Sequence, residues 1–402
     1  MQALHGTRVI DLSRVVAGPY CTYQLALMGA DVIKIEEPGR GDPVRWSAAG
    51  SDKHYRTRGM ATNYLPQNAN KRSITLDLRK EEGKAIFRKM VKDADVVVEN
   101  FRAGVMDGLG LGYKALLEIN PKLVFCSLTG YGQTPPKGHH TAYDGVIQAA
   151  SGLMSMTGTK ETGPLKVGPV IIDYASGLAA AFAIGMALLQ RQQTGRGQYI
   201  DVSMLDTALT FMSALIVDYK CTGNLPVARG NTPSSRSPSA GYYETLDGTV
   251  AISANEEHQA QRLCRALGLG HLLQDPRFAE IEERLKHGPE LAAEFARVMA
   301  TRKSLEWEEI LNEAGVPCAR IRTIPEILEH PQVTGRGLLH TFPNMKSTDS
   351  DVTVLGAAFR FEHDGPAVKT PPPTVGEHTE AILKEFGYDS GAVARLRESG
   401  VV

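Results

Sequence analysis

Along the first 200 residues, short β-branched runs alternate with amphipathic stretches, the pattern of a parallel sheet covered by helices. Apolar runs at 8–12, 31–35, 73–78, 95–99 and 123–128 read as strands. Between Glu81 and Lys92, the residues Ala85, Ile86, Met90 and Val91 recur at helical spacing, while Lys84, Arg88, Lys89 and Lys92 face outward. That segment predicts a helix over one sheet face. After Asp173 a long helix is expected to run to about residue 193, with Arg191 in its last turn and Gly195 just beyond, where a glycine closes helices. Its most apolar part, 177–189, has 13 residues, short of the roughly 18 that suggest a membrane span, and reads as a buried core helix. A strand at 198–203 and a helix at 204–219 follow.

From 222 to 240 the pattern breaks into Gly, Pro and Ser, as in VARGNTPSSRSPSAG, which marks a linker or substrate loop and a domain boundary. Beyond it, strands at 242–244 and 249–253 and helices at 259–267, 290–299 and 305–314 predict a smaller α+β unit. The remainder holds a strand at 352–361, a proline run at 371–373, and Thr374 with Glu377 as a capping-box pair that starts a helix.

The chain has 402 residues, enough for two or three domains at roughly 150 residues each. Forty-four basic and 45 acidic residues leave a net charge of −1, so no whole-protein field favours nucleic acid or an anionic membrane, and neither partner is expected. With 42% apolar and 22% charged residues the chain can bury a large core. The five cysteines are scattered, without C-x-x-C spacing, which predicts neither a disulfide framework nor a zinc ribbon and favours a cytoplasmic location. The opening MQALHGTRVIDLS does not read as a secretory signal. None of the 11 histidines sits in an H-E-x-x-H motif, so no metal is expected, and G-x-S-x-G is missing too. GLGLG at 108–112 has the wrong spacing for a dinucleotide fingerprint, and LSRVVAGPY supplies one glycine where that turn uses three. A nicotinamide cofactor is therefore not expected.

The most informative segment is VGPVIIDYASGLAAAFAIGMALL. Asp173 ends the apolar run 170–172, and Ala175, Ser176 and Gly177 open the helix, small enough for another chain or a ligand to approach. Local pattern alone reads Asp173 as the helix N-cap; a chemical role is compatible with that.

Taken in order, DLSRVVAGPYCTYQLALMGADVIKIEEP, NKRSITLDL, ADVVVENFRAG, GYG, AYDGVIQAASG, VGPVIID and TGRGQYIDVSMLD resemble the class III CoA-transferases, the family of the formyl-CoA and carnitine enzymes. The resemblance is strong from residue 6 to about 215 and fainter beyond, in ALGLGHLLQDPRFAE and EAGVPCARI. It implies an α/β fold with a Rossmann-like parallel-sheet large domain, 1–224, a smaller α+β domain, 225–325, and a C-terminal segment, 326–402, returning to the large domain. It further implies an interlocked homodimer with no tightly bound cofactor and coenzyme A as co-substrate, acting on an acyl-CoA and a small carboxylic acid. Asp173 matches the family's catalytic aspartate. Arg14, Val15, Val16, Ala17, Leu76, Arg79, Asn100 and Phe101 match CoA-binding positions, and Tyr143 matches a tyrosine close to the reaction centre. Elementary chemistry agrees: Arg79 can pair with phosphate, Phe101 offers a flat apolar surface, and the 14–17 turn follows a parallel strand, where such sheets bind ligands. Read without the resemblance, Leu76 is also a strand-core residue and Arg79 a solvated charge.

Several positions depart from the family. Val16 replaces a glutamine, so backbone donors must serve the reaction centre. Gly108 and Glu37 stand where basic residues help to hold the nucleotide, with Arg40 or Arg102 as compensating charges. SANEEHQ at 253–259 replaces a glycine-rich loop, with 253–257 expected to act as a lid, and Thr141 replaces a lysine; both changes argue against oxalate or formate. The expected chemistry is attack by Asp173 on a thioester, through an aspartyl anhydride and an aspartyl-CoA thioester, with the 14–17 turn or the small-domain loop holding the oxyanion. Arg45, Arg56, Arg229 and Arg236 are loop arginines that can hold a second carboxylate, pointing to a dicarboxylate acceptor and succinyl-CoA as donor; surface solvation is their alternative role. Two rival readings stand beside this one, an α-methylacyl-CoA racemase and a non-catalytic acyl-CoA-binding protein. The racemases carry a histidine base where this chain has Tyr143, whose ordinary pKa of about 10 makes a poor base at neutral pH.

Overall fold

The computed structural model describes residues 1–47, 53–233, 235 and 237–402; Arg236 lies outside the described residues. The chain divides into two compact units, one made of Met1–Met154, Lys166–Pro226 and Thr334–Val402, the other of Ser155–Leu165 and Val227–Val333.

The first unit is built on six strands, Arg8–Asp11 (β1), Asp31–Glu36 (β2), Lys71–Thr75 (β3), Val96–Glu99 (β4), Val124–Thr129 (β5) and Gln198–Ser203 (β6). All pair in parallel, in the order β3-β2-β1-β4-β5-β6, the doubly wound order of a Rossmann-type sheet. Val9 and Ile10 are both buried and point to opposite faces, because successive side chains alternate across the sheet. On one face Ile10, Ile33, Ile74, Val97 and Phe125 pack against Ile86, Phe87, Met90 and Val91 of the helix Glu81–Lys92, and against Ile382, Leu383 and Val393 from the end of the chain. On the other, Val9, Val32, Val98, Val124 and Cys126 meet the helices Ala17–Leu27 (α1) and Ile171–Thr194.

β3 starts two residues before the expected strand and ends before Leu76. Its first residues are charged but satisfied: the Lys71 ammonium donates to the Asp11 carboxylate at 3.0 Å, and Arg72 pairs with Asp31 at 2.7 Å. A hydrophobicity pattern cannot register such a strand start. The small residues near Asp173 do serve a close approach, and the partner is α1. A Cβ on Gly177 would lie 2.7 Å from the Ala17 carbonyl oxygen, so only glycine fits that crossing.

Other expectations need correction. The helix expected over 204–219 is two, Met204–Phe211 and Ser213–Thr222, broken at Met212 where the Ser213 hydroxyl turns back to the Thr210 carbonyl at 2.5 Å. The strand expected over 352–361 is Ser350–Leu355, paired antiparallel with Leu339–Met345. That partner escapes pattern reading because Pro343 and Asn344, the latter at φ 48°, interrupt its alternation. The Thr374 N–H and hydroxyl both donate to the Glu377 carboxylate, at 2.8 and 3.1 Å, but Gly376 between the two residues sits at φ 64° and the helix begins only at Thr379. The helix Ile171–Thr194 is long and apolar enough to cross a membrane by length and composition. It is not wholly buried as expected: Ala180, Ile184 and Leu188 lie in the core, whereas Leu178, Phe182, Met186 and Leu189 form an exposed stripe.

The second unit packs the helices Glu257–Ala266, Gly288–Met299 and Ser304–Glu313 against the antiparallel strands Ala240–Glu244 and Thr249–Ser253. Cys318–Arg320 adds a third strand. The residues 155–165 also belong here, and the Gly230 N–H donates to the Gly158 carbonyl at 2.7 Å.

Candidate active site

In this strand order the neighbours β1 and β4 lead the chain to opposite sides of the sheet, and the crevice beyond their carboxyl ends is where such sheets take ligands. The two loops there are clasped by one amide. The Arg14 N–H donates to Asn100 Oδ1 and Asn100 Nδ2 donates to the Arg14 carbonyl, both at 2.8 Å. Val15 sits at φ 71°, a left-handed conformation that costs a β-branched residue on the order of 1–3 kcal/mol and persists only when its surroundings impose it. They do so from both sides: the Val15 N–H donates to the Asp42 carboxylate at 3.2 Å, and Gln67 Nε2 donates to the Val15 carbonyl at 3.0 Å.

Below the loop lies a fully buried ionic layer. Lys34 pairs with Asp42 at 3.1 Å and donates to the Ser13 carbonyl at 2.8 Å; Lys71 pairs with Asp11, which also accepts from Thr22 at 2.7 Å. Arg45 pairs with Glu36 at 2.6 Å and donates to the Tyr64 hydroxyl, also at 2.6 Å. Burial opposes ionisation of Asp11, but Lys71 and Lys34 outweigh it and hold its carboxyl below the usual range. Burial lowers Lys71 to about 8 against the pull of Asp11. Arg45, expected to reach for substrate, is thus wholly buried and engaged with Glu36. Arg56 and Arg229 line neither cavity described below.

A cavity of about 430 Å³ brings together Arg14, Val15, Val16, Ala17, Asn100, Phe101, Tyr143 and Asp173, with Arg102, His140 and Thr141 beside them. Tyr143 is 71% exposed and precedes the helix Asp144–Ala150 (α2); Asp173 comes from Ile171–Thr194 (α3). Asp173 is not the N-cap the sequence suggested. That place falls to Val170, which has no capping side chain, and Asp173 stands inside the first turn. The cap comes from another helix: Asp144 Oδ2 accepts the Ile172 N–H at 2.7 Å and the Asp173 N–H at 3.3 Å. Among the described residues the Asp173 carboxyl has no hydrogen-bond partner. Burial, then the nearby Asp144 charge, push it up to about 7.

A second cavity of about 300 Å³ holds Leu76 and Arg79 with Leu12, Ile35, Glu37 and Leu109, and it shares Arg14 and Phe101 with the first. The Arg14 guanidinium lies over the Phe101 ring, 5.1 Å from its centroid. Leu76 is buried and lines this cavity at once, so its two readings coincide. The Arg79 side chain is 70% exposed yet already paired with Asp77 at 2.9 Å and with Glu37 at 3.0 Å. The Phe101 N–H donates to Glu99 Oε2 at 2.7 Å, and burial pushes that carboxyl up to about 7. Of the proposed compensating charges Arg102 lines the first cavity and Arg40 lines neither. In the second unit, Ser253 and Asn255 line a small polar cavity of their own with Ser235 and Tyr242.

Sequence reasoning missed Asp42, Gln67, Glu99 and Asp144. Asp42 ahead of a proline and Asp144 at a helix start do carry cap-like local signals, but no local signal says that their carboxylates reach Val15 and α3.

Comparison with known proteins agrees with this architecture. The family described as CoA-transferase family III matches residues 4–379. An acyl-CoA transferase of Fusarium pseudograminearum is 36% identical over 403 residues, covering 100% of this chain and 88% of that protein. The succinyl-CoA:glutarate CoA-transferase of Mus musculus is 33% identical over 404 residues, covering 100% and 91%. Among solved structures, a CaiB/BaiF family protein from Brucella suis superposes with a TM-score of 0.84 at 33% identity, covering 96% of this chain and 99% of that one.

Proposed function

The chain belongs to CoA-transferase family III, and from that premise we propose that it moves CoA from an acyl-CoA to a small dicarboxylic acid, with Asp173 as the nucleophile. The observation that carries this reading is the Asp173 carboxyl itself, half-buried without a donor in the cavity that also holds the 14–17 turn. A carboxylate is a weak nucleophile in water; one that is undersolvated and held against a bound thioester gains from proximity and from its raised basicity.

In the proposed sequence Asp173 attacks the donor thioester carbonyl, and the carbon–sulfur bond breaks to give a mixed anhydride and CoA thiolate. The thiolate attacks the aspartyl carbonyl, releasing the donor acid as a carboxylate and leaving an aspartyl-CoA thioester. The acceptor carboxylate then attacks that thioester, re-forming an anhydride and free thiolate. Attack of the thiolate on the acceptor's carbonyl yields the new acyl-CoA and frees Asp173. Each addition makes an oxyanion. Within the turn, the N–H groups of Arg14 and Val15 are taken by Asn100 and Asp42, so we assign the oxyanion to those of Val16 and Ala17.

The nucleotide end of CoA fits the second cavity, which meets the first at Arg14 and Phe101. A phosphate there must draw Arg79 away from Asp77 and Glu37. Succinyl-CoA as donor and a dicarboxylate as acceptor follow the name of the mouse relative. With Arg45 engaged elsewhere, Arg14 and Arg102 are the guanidinium groups that can meet a second carboxylate. The five cysteines are free thiols, in keeping with work in the cytoplasm.

The test is incubation with succinyl-CoA and a panel of acids including glutarate, oxalate and formate, with new CoA esters identified by mass spectrometry. The glutarate ester should form in preference to those of oxalate and formate, and Asp173→Ala should fold but transfer nothing; substantial residual transfer contradicts the assignment. Deuterium wash-in at the α-carbon without transfer would point to racemisation instead.

A further inference from the structure

We infer that Asp144 is a positioning residue: it occupies the donors at the start of α3 and so leaves the Asp173 carboxylate aimed and undersolvated. The inference rests on the reading of Asp173 as nucleophile.

An acid in the first turn of a helix is ordinarily stabilised as an anion by the helix dipole and by folding back onto the free N–H groups of that turn. A carboxylate stabilised in this way is a poor nucleophile. Here those groups are already filled. Asp144, 3% exposed, accepts from Ile172 and Asp173, and its other oxygen accepts from Gln148 Nε2 at 2.5 Å. Gln148 Oε1 in turn accepts the Val167 N–H at 2.9 Å. Two side chains one turn apart on α2 thus pin both the irregular segment that leads into α3 and the first turn of that helix. They place a negative charge where it offsets the dipole that would otherwise stabilise Asp173.

Other groups bear on the same carboxyl. Arg14, Arg102, His140 and Tyr143 share its cavity, Tyr174 follows it and meets Tyr20 of α1 edge to face, and the Lys166 ammonium is held by the Val167 and Gly168 carbonyls. All are unchanged when Asp144 alone is replaced, so a difference between wild type and an Asp144 variant reports on Asp144.

The experiment is the pH dependence of kcat for wild type, Asp144→Asn and Asp144→Glu, each also trapped during turnover to locate the acylated residue. In the wild type the rate should rise through a limb near pH 7. In Asp144→Asn, which keeps an acceptor for the Ile172 N–H but not the charge, the limb should move down by about one pH unit. Its plateau rate should fall roughly tenfold as the nucleophile becomes less basic, with the KM for acyl-CoA nearly constant. Asp144→Glu should keep the limb near its wild-type position. Should Asp144→Asn fail to fold, Gln148→Met removes the donor that aims Asp144 while leaving both carboxylates, and should shift the limb in the same direction by less. A limb unmoved in the folded variant, with Asp173 still acylated, overturns the role of Asp144. Acylation at another residue overturns the reading of Asp173, and this inference with it.

Discussion

At Asp173 the chain keeps a carboxyl where no donor meets it, and the consequence for stability has a definite sign. Burial and the Asp144 charge hold the proton on up to about pH 7 in the folded state, against an ordinary value of 3.8. Between those two values the folded chain binds more protons than the unfolded one, so this group's contribution is most favourable in acid and is lost as pH rises towards 7. Asp173→Asn, which cannot ionise, should therefore melt higher than the wild type at pH 8, by on the order of a few degrees. The two should converge near pH 4. Equal melting temperatures at pH 8, or a gain that grows in acid, would show that the carboxyl is not held in a destabilising environment. Asp173 was legible in the sequence as a special residue at a helix start. Its chemical state was not, because the acid that fills the turn's donors lies 29 positions away in the chain.

At the scale of elements, the helix Glu81–Lys92 was readable from its period, and the parallel strands from continuous apolar runs, because both of their faces are buried. The loop after β1 does not. Its left-handed Val15 depends on Asp42 and Gln67, which belong to separate turns far along the chain. Its floor is the ionic layer of Lys34, Asp42, Asp11 and Lys71, residues that a pattern reader assigns to the surface. Removing one member of a buried pair leaves the other charge without compensation. Asp42→Ala should thus cost about 3–5 kcal/mol in chemical denaturation and release the Val15 N–H. Breaking the exposed Arg88–Glu81 pair with Arg88→Ala should cost far less. Similar losses in the two variants would mean that the ionic layer does not hold the loop.

At the scale of the whole molecule, the resemblance named a two-part chain whose end rejoins its beginning. The described partition assigns Thr334–Val402 to the first unit, and also assigns Ser155–Leu165 to the second. The latter excursion has no signal in the sequence, since a two-residue ribbon at Gly158–Thr159 and Gly163–Pro164 is too short to carry a period. The stripe of Leu178, Phe182, Met186 and Leu189, with Phe182 69% exposed, is an apolar surface of the kind that marks an interface, and it supports the homodimer that the resemblance implies. Light scattering at micromolar concentration should give twice the 43.5 kDa chain mass; a monomer would contradict that assembly. The central claim is covalent and is tested most directly by chemical capture. When the enzyme turning over succinyl-CoA and a dicarboxylate is quenched with hydroxylamine or borohydride and digested, the account predicts a modified carboxyl in the peptide containing Asp173. An enzyme that exchanges CoA between acids at full rate while every captured digest shows Asp173 unmodified would contradict it.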